Sequence, residues 1–247
     1  MLHQSRRMVF TFIAAFIFVT AASAQTPTVD EIVAKAVTAR GGLDKLRGVN
    51  TMKMVGKVTM QGREFPITVL AKRPNLMRQE MTIDGSRVVS AFDGQKVWVV
   101  NPAMGINEPQ EMKGSMADDM RDQPIFGGPL VGYKERGETL ELVGPSTVGD
   151  AKTWKLKLTR PNGGPMFIDV DAATGLELQW SRTVDQNGMT VDIDSVMSDY
   201  QPTDKGILVP RTMRTMVGGH QQGVVKVESV EFDAQVDDAD FQMPKDP

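Results

Sequence analysis

The chain has 247 residues, of which 40% are hydrophobic and 24% charged, with a net charge of −3 and no cysteine. Those proportions exclude a disordered or collagen-like chain, and no apolar stretch is long enough for a multi-span membrane protein. A mildly acidic balance carries no electrostatic footprint for nucleic acid, and the missing thiols exclude disulfides and a lipid-modified cysteine.

Residues 1–24 have the form of a secretory leader. Arg6 and Arg7 give a basic start, 9–20 is almost unbroken apolar sequence, and Ala22-Ser23-Ala24 offers the small residues that a signal peptidase reads. Cleavage is expected between Ala24 and Gln25. The apolar run falls short of the ~20 residues of a spanning helix. Losing Arg6 and Arg7 takes the net charge from −3 to −5. Residues 25–247 are then expected to form one soluble, periplasmic domain, large enough to bury roughly 70% of its unfolded surface.

The spacing predicts a helix over 28–40. Val29, Ile32, Val33, Ala36 and Val37 keep to one face, Thr28 and Glu31 have capping-box spacing, and Gly41-Gly42 stops it. Residues 43–46 can add a turn. From Thr51 the period drops to two: Met52, Met54, Val58 and Met60, then Phe65, Ile67, Val69 and Ala71 after the Gln61-Gly62 turn. Arg73-Pro74-Asn75 interrupts, and 77–83 resumes. Asp84-Gly85 and Asp93-Gly94 are hairpin dipeptides bracketing 87–92 and leading into 96–100.

Residues 102–132 lack alternation. A helix is expected over 110–122, with Pro109 at its first turn and Met112, Met116 and Met120 along one face. Gly114 weakens that helix by about 1 kcal/mol relative to alanine. Alternation returns at Leu140 and Leu142, then at Trp154, Leu156 and Leu158, and at Met166, Ile168 and Val170. It continues through 176–184, 189–200, 207–217 and 224–232, with turns at Asn162-Gly163-Gly164, Ala173-Thr174-Gly175, Asn187-Gly188 and Gly218-Gly219. The expected fold class is α+β: one long, curved antiparallel sheet of about eleven strands with a few helices against one face. A closed barrel would leave the helices without an apolar bed.

Enzyme motifs are missing. There is no HExxH, G-x-S-x-G, Walker or EF-hand pattern. Beyond the leader His220 is the only histidine, read as an exposed turn residue; a zinc site would rest on it and carboxylates alone. Asp169/Asp171 and Asp192/Asp194 each place two carboxylates on one strand face, a pattern that could hold calcium or act as acid and base. With Ile168, Val170, Val191 and Ile193 opposite, they read as solvated outer faces. No catalytic residue, metal or cofactor is expected.

Seventeen methionines is the one unusual count. Core packing accounts for Met52, Met54 and Met60. Thioether ligation of Cu(I) is a second reading. A deformable apolar cavity is a third, since methionine adapts to variable aliphatic partners, and Met112, Met116 and Met120 suit it.

Several segments together carry a resemblance: Ala39-Arg40-Gly41-Gly42-Leu43-Asp44-Lys45-Leu46, Lys72-Arg73-Pro74-Asn75 with Met77-Arg78, Ala91-Phe92-Asp93-Gly94 with Val97-Trp98 and Asn101-Pro102. Gly128-Pro129-Leu130-Val131 with Tyr133, Ser198-Asp199-Tyr200 with Val209-Pro210, and Asp238-Ala239-Asp240-Phe241 follow in order. In this the chain resembles the outer-membrane lipoprotein-sorting (LolA/LolB-like) superfamily of periplasmic proteins, as a divergent member. The resemblance implies an unclosed β-barrel whose concave interior, plugged by helices, holds acyl chains of lipoproteins or other lipids. The residues then expected to line the cavity and its lid are Met52, Met54, Phe65, Ile67, Met77, Met81, Phe92, Trp98, Met112, Met116, Met120 and Trp154. Expected partners are acylated lipoproteins or lipids and inner- or outer-membrane proteins, not nucleic acid, with the chain itself a monomer. The alternative that the same fold implies is an envelope sensor acting through protein contacts.

Overall fold

A computed structural model describes residues 26–121, 126–161, 164–186 and 189–244. The predicted leader, its cleavage site, Asp122 and the Asn162-Gly163 and Asn187-Gly188 turns lie outside the described residues.

Helix α1 (Val29–Ala39) is closed at its start by a full capping box: the Thr28 hydroxyl accepts from the Glu31 amide, and the Glu31 carboxylate accepts from the Thr28 amide at 2.7 Å. That amide and the Thr28 hydroxyl hold the Glu31 carboxyl below its usual range. A short α2 (Leu43–Gly48) follows.

Thirteen antiparallel strands then form one sheet: β1 (Thr51–Met60), β2 (Arg63–Lys72), β3 (Leu76–Ile83), β4 (Ser86–Phe92), β5 (Val97–Asn101), β6 (Ile106–Met112), β7 (Thr139–Val148), β8 (Ala151–Thr159), β9 (Met166–Asp171), β10 (Glu177–Gln186), β11 (Met189–Pro202), β12 (Leu208–Val217) and β13 (His220–Phe232). Helix α3 (Ser115–Arg121) lies between β6 and β7. The order across the sheet is β6-β5-β4-β3-β2-β1-β13-β12-β11-β10-β9-β8-β7. Each half is a meander of sequence neighbours, and the single long-range pairing, β1 with β13, joins the halves. Strands β6 and β7 are the two ends and do not pair with each other, so the sheet stays open.

Two sequence expectations need correcting. The sheet has thirteen strands rather than about eleven, and residues 110–112 belong to a strand rather than a helix. β6 escapes a period-two reading because it is an edge: only one side needs ladder bonds, so Pro109 is tolerated and the outer positions are polar. At the other edge β7 runs ten residues, longer than the alternation at Leu140 and Leu142 alone indicates. Its register shifts between Leu142 and Gly144, where a bulge and Pro145 break the pattern while the ladder to β8 continues.

The registers put the alternating apolar positions on one continuous face. One row across five strands reads Phe65, Val58, Val225, Met213 and Met197. In the C-terminal half another reads Trp180, Ile168, Leu156 and Leu142. Helices and loops cover this face in three places. Ile32 and Ala36 of α1 pack on Leu156, Leu158, Met166, Ile168 and Val170. Leu46 of α2, with Phe126 and Val131 of the loop after α3, packs on Ala71, Val209 and Phe232. Ala117 of α3 sits on Phe92 and Val97.

The opposite face has one covered patch. After β13 the chain turns back over β3–β5, burying Phe241 completely and bringing Met243 onto Val89, Ala91, Trp98 and Val100. Elsewhere that face carries exposed ion pairs such as Lys57–Glu228, of little energetic weight. Among the described residues no helix is long and apolar enough to cross a membrane.

Candidate ligand-binding face

The expected cavity residues fall in several places. Phe65, Ile67 and Met77 are buried in one cluster, with Met54, Met81 and Met120 half-buried against it. Phe92 lies beside them, with Met112 and Met120 packed on it. These eight share the covered face of the N-terminal half. Met52 faces the same way but joins the cluster under α2. Trp154 is half-buried in the cluster under α1, at the far end of the sheet. Trp98 lies on the other face: its indole N–H donates to the Phe241 carbonyl at 2.8 Å beneath the C-terminal segment. Met116 belongs to α3, and its side chain lies outside the described residues. Met112 leaves the predicted helical stripe, being the last residue of β6, while Met120 remains on α3. Gly114 is not inside the helix either; its φ of +84° makes the turn from β6 into α3, a geometry that glycine adopts without strain.

The elements covering the face are held by arginines that the periodicity did not single out. Arg40, at the end of α1, donates through Nε to the Leu208 carbonyl at 2.6 Å and approaches the Glu177 carboxylate at 3.9 Å. Glu177 is fully buried and accepts from the Trp180 indole N–H at 2.6 Å. Burial pushes its carboxyl above the usual range, with Arg40 and then Trp180 opposing. The Tyr200 hydroxyl donates to the Glu177 carbonyl at 2.6 Å, and burial with the nearby Glu177 charge raises that phenol too. Gly128, with a φ of +78°, lets the loop after α3 close on this pair; a Cβ there would stand 3.0 Å from Glu177 Oε1.

Arg73 donates to the carbonyls of Val49 (2.8 Å) and Leu46 (3.0 Å) and stacks over Phe126, tying α2 to the loop. Its pKa is lowered by burial and by the charge of Arg47. Arg136 donates to the carbonyls of Val131 (2.6 Å) and Pro129 (2.7 Å). A fourth arginine, Arg211 on β12, falls between Val209 and Met213 and so on the covered face. Sequence reasoning met Arg40 and Arg73 only as members of the segments that carry the resemblance, and Arg136 and Arg211 not at all; a charge at an inward position of an alternating strand was the available signal for Arg211.

The carboxylate pairs do not make a site. Asp169 is buried rather than solvated, accepting from the Thr153 hydroxyl at 2.9 Å with Lys155 at 3.4 Å. Asp171 accepts from the amides of Ala173 and Thr174 and shapes a turn. Asp192 accepts from Thr183. His220 is exposed and opens β13. Among the described residues no three His, Cys, Asp or Glu side chains gather as a metal site would require.

No family model matches the chain, and no curated protein matches it either. Solved structures do. A LolA superfamily protein from Nitrosomonas europaea aligns with a TM-score of 0.57 at 13% identity, over 88% of this chain and 98% of the other. A DUF1329 family protein from Desulfovibrio piger aligns with a TM-score of 0.57 at 16% identity and the same coverages. A domain from Vibrio parahaemolyticus, provisionally assigned to outer membrane lipoprotein sorting, aligns with a TM-score of 0.52 at 12% identity, over 85% and 94%. At these identities the likeness is one of fold: the chain has the open, plugged sheet of LolA-like proteins.

Proposed function

We propose that the chain is an exported, non-enzymatic carrier that holds acyl chains of lipoproteins or other lipids against the covered face of the open sheet. The observation that carries this reading is the unbroken apolar row from Phe65 to Met197, overlaid by separate short elements rather than by a second sheet. Such elements can move aside without breaking the ladder. Each methylene buried in exchange contributes ~0.8 kcal/mol, so one acyl chain can offset the undocking of a short helix. Delivery then needs only an acceptor that binds the chain more tightly. The LolA superfamily and lipoprotein-sorting names of the fold relatives support the same direction. In this reading residues 1–24 are removed on export, 25–247 bind cargo in the periplasm as a monomer, and membrane proteins load and unload it.

The test is purification of the periplasmic protein without denaturant, then native mass spectrometry, lipid extraction and titration with a fluorescent fatty-acid probe. Co-purifying acylated molecules and saturable, displaceable probe binding are expected. A ligand-free protein that takes up no probe would overturn the proposal.

A further inference from the structure

We propose that Arg211 recognises the acidic head of an amphiphile whose apolar tail lies along the covered face. The inference rests on the carrier reading above and narrows its ligand class to lipids bearing a carboxylate or phosphate.

Arg211 faces inward between Val209, which is buried under α2 and the loop, and Met213 of the long apolar row. Its Nε and Nη1 are both shielded from solvent, and neither finds a hydrogen-bond partner among the described residues. The other arginines on this side do not share that condition. Arg40, Arg73 and Arg136 each bury N–H groups on named carbonyls, and Arg40 also meets Glu177. A guanidinium cannot shed its proton to relieve burial. The residue is half-buried, and shielded N–H donors left without an acceptor are unfavourable. Among the described residues no carboxylate lies within ion-pair distance of it, so the position suits an added anion.

The geometry suits an acid. A guanidinium grips carboxylate or phosphate in a two-pronged fork along either of two edges, each of which includes Nη2. Nε belongs to one edge and Nη1 to the other, so each edge has one unfilled donor. What surrounds the group selects an acid with a hydrocarbon tail over a free anion. From Met213 the row continues through Val225 and Val58 to Phe65, three strand spacings or ~14 Å at ~4.8 Å each. The neighbouring inward position on β1 is Gly56, where a Cβ would meet the Lys226 carbonyl at 2.3 Å. The face is thus kept low beside the arginine row.

The experiment titrates residues 25–247 with oleate, oleoyl lysophosphatidate, oleyl alcohol and inorganic phosphate, for the wild type, Arg211→Met and Arg211→Lys. The wild type should bind both acids at least tenfold more tightly than the alcohol and should not respond to phosphate. Arg211→Met should lose that preference by weakening the acids alone, without a lower melting temperature; Arg211→Lys should keep part of it. Equal wild-type affinity for acids and alcohol, or an Arg211→Met loss that includes the alcohol, overturns the acid-head assignment while leaving the carrier reading standing. Phosphate binding as tight as lysophosphatidate overturns it in favour of a simple anion site. Failure of all three amphiphiles to bind removes both proposals together.

Discussion

The element that should yield first to an acyl chain is α3, and Met120→Ala tests this. The helix has seven residues, far below the length at which a helix holds itself together in water. Among its described side chains, Ala117 and Met120 make the apolar contacts, Met120 touching both the cluster of Phe92 and Val97 and that of Phe65, Ile67 and Met77. By contrast α1 is capped and tied through Lys35 to the Ala172 carbonyl at 2.6 Å, and α2 is tied through Arg73. A fully buried Met→Ala change costs about 2–5 kcal/mol; at half burial about 1.4 kcal/mol is reasonable, a factor of ten. If ligand binds the state with α3 displaced, that whole amount returns as affinity, because the competent state becomes ten times more populated. The probe should therefore bind Met120→Ala about tenfold more tightly. The melting temperature should barely move, since the helix would have left the sheet before the sheet melts. A loss of ~1.4 kcal/mol from the cooperative core would instead lower melting by roughly 3–6 °C. That drop, with unchanged or weaker probe binding, would refute the displaceable helix.

Trp98→Phe should cost about 1–3 kcal/mol in denaturant unfolding by orphaning the buried Phe241 carbonyl, yet leave probe affinity unchanged, because Trp98 faces away from the covered side; weaker binding would contradict that placement. Glu177→Gln should alter the pH profile of melting in one direction. A carboxyl whose folded pKa is raised binds its proton more readily folded than unfolded, so its penalty is absent below the unfolded pKa and grows as pH rises through the folded one. The wild type should therefore gain stability relative to Glu177→Gln on acidification across that window, and a constant difference in thermal melts would count against it. Probe binding should survive EDTA and His220→Ala; a loss restored by added metal would show that a metal takes part.

Alternation exposed most of this fold because a sheet wetted on one side writes its orientation into every second residue. It failed where that condition fails. On β5 Val97, Trp98 and Val99 are all buried, since α3 covers one face and the C-terminal segment the other. A period of two cannot then say which way Trp98 points, and an aromatic beside Phe92 and Val97 looks like a cavity residue. The same limit hid β6: a strand paired on one side can carry Pro109 and polar outer positions, and its Met112 then imitates the start of a methionine stripe continued by Met116 and Met120.

The arginines show why the site was harder to read than the sheet. Arg40, Arg73 and Arg136 satisfy backbone carbonyls contributed by residues up to 168 positions away, so nothing in their local sequence distinguishes them from solvated charges. Their work is to fasten α1, α2 and the loop of Phe126–Tyr133 over the apolar face, where unpaired carbonyls would be costly. Fastening also divides that cover into parts of unequal hold. Residues around Arg40 and Arg73 are tied by hydrogen bonds as well as packing, whereas the described side chains of α3 hold it to the sheet by apolar contacts, and an acyl chain replaces apolar contact in kind but not a buried hydrogen bond. A hydrocarbon ligand should therefore enter along the β2–β5 side, beneath α3, and extend toward β12. Arg211 lies along that direction, on β12 between Val209 and Met213.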